Sequence, residues 1–221
     1  MKGEKMTKKG VISWIPIVFL PTALTSLLCG IIRPSYWWGA YIIYALACWL
    51  TLAILWFILR RYGYRFRDLG WHNFKVRDIG WAVLFLVIAI YVWWGVSIGL
   101  SKIGVEEWRM EYHFTSPFEV LIIFFFSVIT APICEETLFR GYLITVLSGK
   151  IKLWLACIFS IVLFALYHFF PFGIGAFIHI LFWAPFPIIL FVWRKSIYPA
   201  VIMHALNNLF AWVMLPLFLG S

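Results

Sequence analysis

Charge is what this chain has least of. Only 12% of its 221 residues are charged and 64% are hydrophobic, whereas a soluble domain is about 25% charged and about 45–50% apolar. That balance excludes a water-soluble globular domain and points to an integral membrane protein whose apolar surface is shared with lipid. Aspartate occurs only at Asp68 and Asp78, both in a basic connecting stretch, which excludes an intramembrane aspartyl pair. Cysteine is sparse: Cys29, Cys48, Cys134 and Cys157 all fall in apolar segments and read as buried free thiols. Absent too are a His-Glu-x-x-His zinc pair, a Gly-x-Ser-x-Gly or Gly-x-Ser-Gly serine motif, a Gly-rich phosphate loop, internal repeats and flexible linkers. No small-residue cleavage site follows the first apolar run, so it reads as a retained helix.

Aromatic residues and long apolar runs are abundant. The 14 Trp, 22 Phe and 10 Tyr suit interfacial belts, where an apolar ring body and a polar edge are both satisfied. About 20 apolar residues cross a bilayer as a helix. Seven such segments are expected, at roughly 11–32, 37–59, 80–100, 117–148, 153–170, 174–193 and 197–218. The expected fold class is therefore all-α: a polytopic transmembrane bundle of about seven helices (six to eight), forming a single integral-membrane domain over 1–221. The fourth segment exceeds what a span needs and is expected to tilt, kink near Pro132 or project beyond the bilayer. Pro171 is expected to close the fifth.

The basic residues set the orientation. With the N-terminus in the cytoplasm, fourteen of the eighteen Lys and Arg fall inside: Lys2, Lys5, Lys8, Lys9, Arg60, Arg61, Arg65, Arg67, Lys75, Arg77, Lys150, Lys152, Arg194 and Lys195. Only Arg33, Lys102 and Arg109 fall outside, and Arg140 lies within the membrane. The net charge of +9 is thus orientation and headgroup charge; it is no nucleic-acid footprint. The expected location is the plasma membrane and the expected partner the lipid bilayer, with no nucleic acid. Residues 61–79, basic and aromatic, suit a segment lying on the inner leaflet; 101–116, with Glu106, Glu107 and Glu111, face outside.

Against this apolar background, the polar groups inside helices stand out: Glu135, Glu136, Arg140, His168, His179, His204, Asn207 and Asn208. A carboxylate at the bilayer centre costs about 2.5–3.5 kcal/mol on insertion scales, and here two are adjacent. Glu136 and Arg140 are four apart and can pair along one helix side. Glu135 is rotated by about 100° from Glu136 and is free to face a cavity as a general base. A purely architectural bridge would need only one glutamate. Glu135 and His168 lie 15 and 18 residues from Lys150 on helices joined near that point, so both sit about 22–27 Å from the turn and meet at one level. His204 reaches that level only if the fourth and fifth helices overhang. His204 shares a face with Asn208 and lies three from Asn207. An imidazole and an amide aimed at one point can stabilise an oxyanion, and spacing does not choose between the two asparagines. His179 reads as an interhelical hydrogen-bond partner. Two histidines and two glutamates leave zinc open. Cys134 beside Glu135 is no strong nucleophile, because a thiol in apolar surroundings is usually inert.

In order, these residues resemble the CAAX protease and bacteriocin-processing (CPBP, or Abi) family of intramembrane glutamic endopeptidases. Its Glu-Glu-x-x-x-Arg motif reads Glu135-Glu136-Thr137-Leu138-Phe139-Arg140, followed by Gly141; Phe-x-x-x-His reads Phe164 to His168; His-x-x-x-Asn reads His204 to Asn208. Each motif is weak alone, but three in order on successive helices are specific. The likeness covers about 115–218, with an additional family-like Asp68-Leu69-Gly70 stretch. The resemblance implies peptide-bond hydrolysis without an acyl-enzyme. Glu135 and His168 would activate water, His204 and Asn208 would stabilise the oxyanion, and Glu136 and Arg140 would support the site. No cofactor is expected, with zinc left open, and the resemblance implies a peptide or protein substrate at the membrane, prenylated in the Ras-converting-enzyme type. It also implies the rival reading, a non-catalytic membrane scaffold or bacteriocin-immunity protein that binds a partner through the same cavity. Transport is a third class, since buried charges also mark ion pathways, but the inverted repeat and paired broken helices of transporters are missing.

Overall fold

A computed structural model describes residues 11–32, 37–105 and 114–219. The N-terminal lysines, Arg33, Arg109, His113 and the acidic residues Glu106, Glu107 and Glu111 lie outside the described residues. Every regular element among the described residues is helical: α1 (Ile15–Ile32), α2 (Trp37–Arg61), α3 (Arg77–Lys102), α4 (Pro117–Ser148), α5 (Leu153–Trp183), α6 (Pro185–Arg194) and α7 (Tyr198–Phe218). Among the described residues, five stretches are long and apolar enough to cross a membrane: Gly39–Arg61, Arg77–Lys102, Pro117–Ser148, Leu153–Arg194 and Tyr198–Phe218; Ile12–Leu28 is a shorter apolar helix. This is an all-α integral membrane bundle. Its outer faces carry large apolar side chains such as Leu46, Phe57, Tyr91 and Trp94, all more than half exposed, as lipid contact requires.

The stretch Leu153–Arg194 is 42 residues long, about 63 Å if straight, roughly twice the hydrocarbon thickness. It is not straight. Gly173 takes φ 80° and ψ −171°, a conformation open to glycine and strained for other residues. The fifth and sixth expected segments meet at that break. The sequence reading put the stop at Pro171, but Pro171 stays inside helix, and the kink falls two residues later at Gly173, where a Cβ is missing.

Helix α4 runs unbroken through Pro132. It widens into π-helical turns at Phe124–Thr130, ahead of the proline, and at Glu136–Ile144. Proline cannot donate an i→i−4 bond, and the wide turn lies directly ahead of it. A third π stretch, Leu209–Met214, follows Asn208 on α7. Such turns are rare and gather at functional sites.

The connection after α2 does not simply rest on a leaflet. It forms a 3₁₀ turn, Phe66–Leu69, whose Leu69 is fully buried. Asp68 accepts from the Arg65 amide at 2.9 Å, Ile197 N–H donates to the Gly70 carbonyl at 3.0 Å, Ser196 donates to the His72 carbonyl at 2.9 Å, and Trp71 donates its indole N–H to Thr137 at 3.0 Å. Gly141 explains why this docking is close: a Cβ there would stand 2.9 Å from the Leu69 carbonyl oxygen. Asp78, read from sequence as part of the basic connection, is fully buried in the first turn of α3. It accepts from Arg194 Nε at 2.8 Å and from the Lys75 amide at 2.9 Å. Together these contacts tie the basic end of the bundle into one piece. Above it, α4 lies among α2, α5 and α7, which brings the three motifs face to face.

Candidate functional site

Helix α4 presents Glu135 and Glu136 to different neighbours. Glu136 is fully buried beside the fully buried Arg140, with Oε2 3.2 Å from the guanidinium Nε, a charge contact not aligned as a hydrogen bond. Its other oxygen, Oε1, stands 2.8 Å from Nδ1 of His204 on α7. The His204 level match that helix lengths left open is thus met. Arg140 donates from Nη2 toward the Ala184 carbonyl at 3.5 Å, where α5 passes into α6.

Glu135 is 5% exposed. Its Oε1 accepts from the Tyr44 hydroxyl of α2 at 2.5 Å. Its Oε2 has no hydrogen-bond partner among the described residues and faces His204 Nε2 at 3.8 Å. His204 therefore stands between the two carboxylates, one ring nitrogen toward each; when the ring is protonated, both serve as donors.

The phenylalanine of the second motif organises the rest. Phe164 is fully buried. The Arg140 guanidinium carbon lies 4.3 Å from its ring centroid, within cation–π range. The same ring meets His168 edge-on at 4.6 Å and His204 at 6.2 Å, and Trp183 contacts His204 at 5.0 Å. The backbone of Phe164 takes part as well, since its carbonyl lies 2.9 Å from His168 Nδ1. A carbonyl can only accept, so Nδ1 carries the proton and a neutral His168 leaves Nε2 as an unprotonated acceptor.

Asn208 is buried and donates from Nδ2 to the Ser127 carbonyl in the first π turn of α4 at 2.8 Å, while accepting from Asn207 at 3.3 Å. One N–H of its amide is thereby fixed and a second remains. The structure thus brings Glu135, Glu136, Arg140 and His204 into direct contact and sets His168 against the shared Phe164 ring. It joins Asn208 to α4 through Ser127. His179 lies apart, 3.5 Å from Ser97 of α3 and stacked near Trp93, in keeping with an interhelical role. Among the described residues no group of three or more His, Cys, Asp or Glu is gathered to hold a metal.

Sequence reasoning missed Tyr44 and the role of Phe164. A tyrosine in an aromatic-rich helix carries no spacing signal, whereas Phe164 was visible as a motif position with no role attached.

Fold and site together define an α-helical integral membrane protein with an intramembrane acid–imidazole cluster. Residues 117–210, less than half of the chain, match the family model described as type II CAAX prenyl endopeptidase Rce1-like. Over that stretch the chain is similar to the CAAX-protease family, the likeness its three motifs carry. That family is one of proteases acting on protein or peptide substrates at the membrane, and the match supports peptidase activity in general. No curated protein and no solved structure matches the chain.

Proposed function

We propose that the protein is an intramembrane endopeptidase that hydrolyses a peptide bond in a membrane-associated or lipidated polypeptide. Water activated by Glu135 is the nucleophile. The observation that carries this reading is the division of labour within one carboxylate: Oε1 is held by Tyr44, while Oε2 is buried, faces His204 Nε2 at 3.8 Å and has no hydrogen-bond partner among the described residues. An oxygen so placed takes a proton from water as the water oxygen attacks the scissile carbonyl carbon. The carbonyl oxygen becomes the oxyanion. It accepts from His204 Nε2 and from the second amide N–H of Asn208, donors fixed before the reaction begins. The C–N bond then breaks, and the leaving nitrogen takes the proton from the Glu135 carboxyl or through His168 Nε2. No bond forms between enzyme and acyl group.

Charge supports the same assignment. Glu135, Glu136 and Arg140 sum to one negative charge, and an imidazolium at His204 balances it. Each buried charge then has an opposite neighbour, as low-dielectric surroundings demand. In this reading Glu136 and Arg140 build the frame, and the chemistry needs no metal. The basic end faces the cytoplasm with the N-terminus, in the plasma membrane.

The test is cleavage of an internally quenched farnesylated CAAX peptide, and of its unprenylated twin, by the full chain in lipid vesicles. Cleavage of the farnesylated peptide that resists chelators and disappears in Glu135→Gln is expected. A Glu135→Gln form that rescues a deletion phenotype would instead identify a non-catalytic scaffold.

A further inference from the structure

The base glutamate is held by a chain of hydroxyls that reaches it from three other helices. The Tyr44 hydroxyl of α2 donates to Glu135 Oε1 at 2.5 Å. The Tyr167 hydroxyl of α5 bonds the Tyr44 hydroxyl at 2.7 Å. The Ser26 side chain of α1 in turn bonds Tyr167. The direction of this chain follows from proton counting. An ionised carboxylate can only accept, so the single proton of Tyr44 is committed to Glu135. Tyr44 can then meet Tyr167 only as an acceptor, so Tyr167 donates to Tyr44, and Ser26 donates to Tyr167. Three helices thus line up their hydroxyl dipoles on one carboxylate oxygen of a fourth. A second contact holds α2 in register one turn further on, where Cys134 Sγ lies 3.6 Å from the Cys48 carbonyl. Both cysteines are fully buried, so the α2–α4 seam is tight where Tyr44 acts.

We infer that Tyr44 and Tyr167 are positioning residues that select Oε2 of Glu135 as the base oxygen. This inference rests on the hydrolytic reading above and adds to it a residue, Tyr44, outside the stretch that matches the family model. The hydrogen bond at Oε1 fixes the carboxylate rotamer and draws charge toward that oxygen. Oε2 is left in place, 3.8 Å from His204 Nε2. Tyr167 acts only through Tyr44: by filling its lone pair it prevents the Tyr44 proton from turning away. Its place between Phe164 and His168 in the second motif ties the chain to the imidazole side of the site.

The experiment uses the full chain in lipid vesicles with Tyr44→Phe, Tyr167→Phe, the double variant and Glu135→Gln. Infrared spectra of protein carrying carbon-13 glutamate, taken as differences against Glu135→Gln, isolate the Glu135 carboxylate bands and need no substrate. The expected result is a displaced band in Tyr44→Phe, a smaller displacement in Tyr167→Phe, and a double variant equal to Tyr44→Phe. Turnover of the farnesylated peptide is expected to fall about tenfold to hundredfold in kcat for Tyr44→Phe with KM unchanged, because misplacing a reacting group costs rate more than binding. Unmoved bands in Tyr44→Phe, or additive effects in the double variant, overturn the relay while leaving hydrolysis standing. Wild-type turnover in Glu135→Gln overturns the hydrolytic reading itself. Should Tyr44→Phe fail to fold, Tyr167→Phe carries the same test from α5, and an undisplaced band there overturns the inference.

Discussion

Among the described residues, two buried carboxylate–guanidinium pairs are built differently. At the basic end, Asp78 is saturated: one oxygen takes Arg194 Nε, the other the Lys75 amide, both within 2.9 Å. Arg194 keeps 13% of its side chain exposed. In the middle of the bundle, Glu136 and Arg140 are fully buried, yet among the described residues Glu136 Oε2, Arg140 Nε and Arg140 Nη1 lack an aligned hydrogen bond, as does Glu135 Oε2. A saturated pair at a helix end closes its own polar ledger and does structural work. An unsaturated cluster in the same low dielectric stores unmet hydrogen-bonding capacity, and that capacity is what a polar substrate and water can use. On the proposed function, the difference separates a fastening from a site, although both read from composition as buried charge.

Substitutions can break the comparison. The largest effect is expected from Arg140→Leu, which leaves the buried carboxylates of Glu135 and Glu136 with His204 as their one shared cationic neighbour, at a cost of about 3–5 kcal/mol. Denaturant titration in detergent should find little folded protein. Next comes His168→Ala. The residue is only half-buried, so the fold should survive while kcat falls by about 10²–10⁴-fold, measured on the quenched peptide. Gly141→Ala pushes a Cβ to 2.9 Å from the Leu69 carbonyl oxygen and should lose about 1–3 kcal/mol by overpacking. Thermal unfolding reads that loss, with turnover per folded molecule largely kept. The smallest effect is expected from Asp78→Asn. Arg194 can turn its freed guanidinium toward water and the new amide oxygen still accepts from the Lys75 N–H, so the loss should be about 1 kcal/mol, with unchanged turnover. An Asp78→Asn enzyme that stays folded but loses turnover would erase the distinction between the two pairs.

Much of this was legible in the chain. The Glu136–Arg140 spacing dictates its own pairing, and counting residues from Lys150 put Glu135 and His168 at one depth. The three motifs then implied the family. What was illegible has physical causes. Tyr44 is one of ten tyrosines among 46 aromatic residues, and its meeting with Glu135 depends on how α2 packs, which no local period encodes. The break at Gly173 was misplaced by two residues because proline is the louder signal, while the φ of 80° demands the glycine. Asp78 looked like a loop acid because its partner Arg194 lies 116 residues away. The π turns of α4 leave no signature in an apolar run, and they govern how Ser127 and Glu136 present themselves.

The central claim is that adjacent glutamates divide chemistry from architecture. Its most direct measurement sets Glu135→Gln beside Glu136→Gln, each scored for peptide turnover and for unfolding in detergent. A Glu135→Gln protein as stable as wild type with no measurable turnover is expected, beside a Glu136→Gln protein that is markedly less stable. A Glu135→Gln protein that cleaves at the wild-type rate would contradict the claim.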